Sequence, residues 1–148
     1  MSALLGPRIT GEWQDRERQI FVAELFAIPL LICFCRHELR GADLLLFVDN
    51  EAAVAAAIRG VSAAPDARIL VEALHVLQLR LDLRIWIEWI DSKSNPADGF
   101  SREGLECEFA SSEPMQLAEL PDAIPPAGSC PWTWADQLLQ HNPRVSAG

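Results

Sequence analysis

Three carboxylates stand where their neighbours are apolar or where a chain turns. Glu24 interrupts an apolar stretch, Asp49 follows directly on the run ADLLLFV at 42–48, and Asp98 lies three residues beyond Asn95 with Pro96 between them. Carboxylates brought together repel one another unless a cation sits among them. Mg²⁺ suits such a cluster because it takes hard oxygen ligands and keeps several waters. Two such ions about 4 Å apart activate a water and stabilise the leaving oxygen of a phosphodiester. Each residue also has a plainer reading. Asn95, Pro96 and Asp98 match the N-cap, first residue and capping-box acid of a helix. Asp49 suits a cap or turn before the next helix, and Glu24 could pair with an arginine or reach solvent.

The elements that must position these residues follow from periodicity. Residues 1–18 form a mixed, charged N-terminal region in which Arg8 to Trp13 could make a short strand. Gln19 to about His37 reads as one helix, apolar on nearly every face and kinked at Pro29. The run 42–48 reads as a strand buried on both faces. Asn50 to Arg59 is Ala-rich and helical, with Gly60 as its C-terminal stop. Pro65 to about Leu81 carries an apolar stripe of Ile69, Leu70, Ala73, Leu74, Leu77 and Leu81, and reads as a longer helix. RIWIEWI at 84–90 alternates: Ile85, Ile87 and Trp89 share one face, Trp86, Glu88 and Ile90 the other. Asp91 to Asn95 is a polar loop, and Pro96 opens a short helix ending near Gly104.

This order predicts an α/β fold whose two strands are parallel neighbours joined by a helical crossover. Asp49 then lies beyond the carboxyl end of a strand, where open α/β sheets collect ligands. Glu24 and Asp98 are expected at the same edge.

From Leu105 the composition shifts: six acids face one arginine, and six of the ten prolines lie there. Residues 105–148 therefore read as an acidic, Pro-rich tail that adds little to the core, with Trp132 to Gln140 as a candidate short helix. The chain of 148 residues carries a net charge of −9, which argues against a broad phosphate-gripping surface. Cys33, Cys35, Cys107 and Cys130 fit no zinc spacing, and Cys33 and Cys35, in an apolar run, read as buried thiols of a reducing, intracellular compartment. His37, His75 and His141 show no metal spacing either, and Trp86 and Trp89 read as packing residues. Ile20 to Cys35 contains Glu24 and Pro29 and falls short of the ~20 apolar residues of a membrane span.

Taken together, VAELFAI, LLLFVDNEAAVAAAIRG and WIEWIDSKSNPADGFSRE resemble the ribonuclease H domain of reverse transcriptases from long-terminal-repeat and tyrosine-recombinase retroelements. The matching residues are Glu24-Leu25, Asp49-Asn50, Gly60, the loop Ser92-x-x-Asn95-x-Ala97-Asp98, and Ser101-Arg102. The resemblance spans roughly residues 8 to 104, with a core at 19–104. It implies a ribonuclease H-like mixed sheet flanked by helices. It also implies hydrolysis of RNA in an RNA–DNA hybrid with Mg²⁺, or Mn²⁺, held by Glu24, Asp49 and Asp98. Asn50, Ser92, Asn95, Ser101 and Arg102 would support them, and a polymerase domain would lie upstream.

One departure bears on activity. The family opens with a strand whose Asp contacts both metals. Here the only acid before Trp13 is Glu12, and Asp15 lies in a charged loop, so the first strand is expected to be missing and activity impaired. The histidine common in the loop before the last Asp is replaced by Ser92, Lys93 and Ser94. Two alternatives stand beside the nuclease. One is a non-catalytic ribonuclease H-like binding or assembly module. The other is a small α/β fold with an unrelated ligand, for which the sequence offers no Gly-rich phosphate loop.

Overall fold

Helix α1 (Ile20–Phe34) is apolar on almost every side, and eight of its residues are buried, Val22, Leu25, Phe26 and Ile32 among them. Such a helix needs cover all round. It receives it from α3 (Glu51–Arg59), α4 (Pro65–Leu81) and α5 (Pro131–Gln140), all of which pack against it. A computed structural model of the chain describes residues 20–95, 117–118, 130–140 and 145–146.

Pro29 lies buried inside α1, yet the helix continues to Phe34. The break comes instead at Cys35, a turn after which Arg36–Leu39 form the short helix α2. The single helix expected from Gln19 to His37 is thus two. The backbone remains connected across the break by bonds from the Cys35 N–H to the Leu31 carbonyl and from the Leu39 N–H to the Cys35 carbonyl.

Strands β1 (Asp43–Val48) and β2 (Arg84–Trp89) pair in parallel, with Asp43 opposite Arg84 and Val48 opposite Trp89. Between them run α3 and α4, as a parallel crossover requires. The local signals act as read. Gly60 takes a left-handed conformation (φ 71°) and donates its N–H to the Ala56 carbonyl. Pro65 occupies the first turn of α4. The stop of α4 at Asp82, also left-handed (φ 51°), has no glycine to mark it.

The fold is mixed α/β, mostly helical, with a small parallel sheet. One expectation fails here. β1 is not buried on both faces: Leu45 and Phe47 are 56% and 50% exposed, while Leu44 and Leu46 pack against the core. The described helices cover one face only, α3 packing on both strands. Trp86 and Trp89 are likewise 68% and 44% exposed, so the packing role expected for them does not hold.

Helix α5 overturns the expectation that residues beyond 105 add little to the core. Trp134, Ala135 and Leu138 are buried, and Trp134 stacks on Phe26 of α1 with ring centroids 6.2 Å apart. Outside the helix, Arg80 of α4 donates two hydrogen bonds to the Asp136 carboxylate, both 3.0 Å. The remaining described pieces, β3 (Leu117–Ala118) and β4 (Val145–Ser146), pair antiparallel. The candidate strand at 8–13 and the helix after Pro96 lie outside the described residues.

Candidate functional site

Asp49 is the first residue past β1, at the carboxyl end of the sheet. The plainer reading made it a helix cap or a turn residue: the cap is Asn50, whose side-chain oxygen accepts the Ala53 N–H at 3.0 Å, and Asp49 itself stands in the bend after β1. Asp49 is therefore not needed to start α3. Its side chain, half-buried, stands at the sheet edge beside α1.

Glu24 lies near enough for the charge of Asp49 to act on it. Burial pushes the Glu24 carboxyl above its ordinary pKa, and the negative charge of Asp49 pushes it further the same way. The two carboxylates are thus brought within electrostatic range from residues 25 positions apart. Both causes act against ionisation, which is the situation a bound cation relieves.

The parallel register places the end of β2 at the same edge. The Ile90 N–H bonds the Val48 carbonyl at 3.1 Å, so the chain leaves β2 directly beside Asp49. It then makes a single 3-10 turn, Ser92–Ser94, held by Asp91, whose carboxylate accepts the Lys93 N–H. Ser92 and Asn95 are in this turn and at its exit, where the Asn95 N–H bonds the Ser92 carbonyl at 3.2 Å. Asp98, Ser101 and Arg102 lie outside the described residues.

The donor set suits a hard cation. Glu24 and Asp49 offer carboxylate oxygens only, the ligand type of Mg²⁺ and Mn²⁺. Among the described residues no group of three His, Cys, Asp or Glu side chains gathers as a metal site. Of the three expected ligands, Glu24 and Asp49 lie within electrostatic range of each other, and Asp98 lies outside the described residues.

The other candidates for chemistry recede. Cys33 is buried in α1, and burial raises its thiol to about 12, so it is inert. His75 belongs to no group of three metal-ligating side chains among the described residues, although its Nε2 is buried without a hydrogen-bond partner there. No described helix is long and apolar enough to cross a membrane.

The chain matches no protein-family model. No curated protein and no solved structure is significantly similar to it.

Proposed function

We propose that this chain is a retroelement-derived ribonuclease H-type domain that hydrolyses RNA in RNA–DNA hybrids with a divalent metal. The observation that supports the reading is the placement of Asp49 at the carboxyl edge of a parallel strand pair, within electrostatic range of Glu24 and where the Ser92–Asn95 loop also departs. That loop belongs to the motif whose last residue is Asp98.

In this reading Glu24 and Asp49 hold the metal through carboxylate oxygens, with Asp98 as a third ligand. Bound there, Mg²⁺ or Mn²⁺ would polarise the scissile phosphate and lower the pKa of an attacking water. Asn50 holds the backbone after Asp49 in place by capping α3. The raised pKa of Glu24 makes metal binding compete with a proton, so affinity falls in acid.

Cleavage is expected to be slow. A charge of −9 weakens contact with a phosphate backbone. The purified chain would be assayed on hybrid with Mg²⁺ and with Mn²⁺, beside Asp49→Asn and a version with a strand ending in Asp fused ahead of Met1. We expect weak metal-dependent cleavage, reduced about 10²–10³-fold in Asp49→Asn and raised by the fusion. A folded chain with no metal-dependent cleavage, even after fusion, would sink the proposal. Hybrid binding without cleavage would favour the second reading, a non-catalytic binding or assembly module.

A further inference from the structure

Strand β2 has an open edge among the described residues, where it pairs only with β1. The bonds that close the ladder, Arg84 N–H to Ala42 carbonyl and Ile90 N–H to Val48 carbonyl, show that even-numbered residues turn their backbone groups toward β1. Backbone groups alternate sides along a strand, so the N–H and C=O of Ile85 and Ile87 point out at the open edge. An edge of this kind pairs readily with another strand.

A groove runs beside it. A cavity of about 240 Å³ is walled on the helix side by Ala57, Ile58, His75 and Gln78 and on the strand side by Ile85 and Ile87. It continues past His75 and Gln78 into a wider cleft reaching Leu79 and Arg84. The rim is apolar where a lone chain should be polar: Ile58, Leu79 and Trp86 are all largely exposed.

We infer that this edge is the interface of a homodimer, in which β2 pairs antiparallel with β2 of a second copy about a twofold axis at Trp86. The strand reads Arg84-Ile85-Trp86-Ile87-Glu88, and this order is complementary to its own reverse. Across the axis each Arg84 faces the other copy's Glu88, Ile85 faces Ile87, and Trp86 faces Trp86. The hydrogen-bonding parity agrees. Ile85 and Ile87 become hydrogen-bonded pairs, and Trp86 becomes the non-hydrogen-bonded pair, the type in which facing side chains come closest. On the open face the two indoles meet between two opposite-charge pairs. On the helix face the second copy's isoleucines fill the groove and cover its apolar rim. Sliding the register by one step of two residues in either direction loses both Arg84–Glu88 pairs, so the charges favour this register. The interface is independent of the carboxylate site.

Sedimentation velocity on the full chain tests this, with Arg84→Glu and Glu88→Arg as variants. The wild-type chain should be a dimer. Each variant alone places like charges opposite one another twice and should weaken the dimer about tenfold. An equimolar mixture of the two restores both opposite-charge pairs and should form a heterodimer. Glu88→Arg leaves the contact between Asp43 and Arg84 intact, so it remains informative if Arg84→Glu fails to fold. Hydrogen exchange needs no variant: the Ile85 and Ile87 amides should gain protection as concentration rises. A wild-type monomer at all concentrations, a dimer indifferent to both variants, or folded variants that stay monomeric on mixing would overturn the proposal.

Discussion

Glu24 is the residue on which the site reading turns. Its carboxyl is held above the ordinary range first by burial and then by the charge of Asp49. A carboxyl that binds its proton more tightly when folded than when unfolded contributes stability that is complete below the ordinary carboxylate range. That contribution is lost as the pH rises through the raised folded value. Above that value the ionised Glu24 destabilises the fold. Glu24→Gln should therefore raise the melting temperature at neutral pH, with the gain vanishing in acid. A variant that melts below wild type at neutral pH, or gains equally at all pH, would show that Glu24 makes a favourable ionic contact instead. A metal reverses the balance. Mg²⁺ at ten times its dissociation constant would stabilise the wild type by about 1.4 kcal/mol, and Glu24→Gln should lose most of this. A wild-type melting curve unmoved by Mg²⁺ and Mn²⁺ would remove the metal from the reading.

At the scale of the element, the passage from β1 into α3 separates structure from chemistry. Two adjacent polar residues follow the strand, and only the second caps the helix. Asn50→Ala deletes the acceptor of the Ala53 N–H and should cost about 1 kcal/mol, lowering the melting temperature by about 3 °C for a chain of this size. Asp49→Asn leaves that cap in place and should cost no comparable stability while it removes a ligand charge. If Asn50→Ala melted as wild type and Asp49→Asn did not, the roles assigned to the two residues would be exchanged. The end of the same helix is equally defined. An added methyl at Gly60 would lie 3.2 Å from His75 Nε2, and the left-handed backbone there disfavours any side chain.

The whole molecule is centred on α1 rather than on the sheet. α4 and α5 both pack on α1 and on each other, and Trp134 is among the largest fully buried side chains. Trp134→Ala should cost about 3–5 kcal/mol, the usual range for truncating a buried tryptophan. Chemical denaturation would read this directly. A loss below about 1 kcal/mol would show α5 to be dispensable, as the composition of its surroundings suggested. The Arg80–Asp136 pair on the outside of the same contact is exposed on both partners and should contribute at most about 1 kcal/mol. The packing of Trp134, not this ion pair, is what holds α5.

Local structure was legible in the sequence because its causes are local. Pro65 starting α4, Gly60 closing α3, the apolar stripe of α4 and the alternation of β2 all act within a turn or two of chain, and each element stands where they place it. The parallel pairing followed as well, since a helical crossover of that length permits it. Three features were not legible. The break at Cys35 carries no glycine or proline. The open face of β1 depends on what covers the sheet, and a run of apolar residues looks the same whether one face is covered or two. The burial of α5 comes from three residues, Trp134, Ala135 and Leu138, set in a segment whose prolines and acids dominate its average. The site divides along the same line. Sequence identified Glu24 and Asp49 by type and position. Only the tertiary structure decided that they lie within electrostatic range of each other, because placing two partly buried carboxylates near one another is unfavourable locally and is imposed by the packing of α1 against the helices that flank β1.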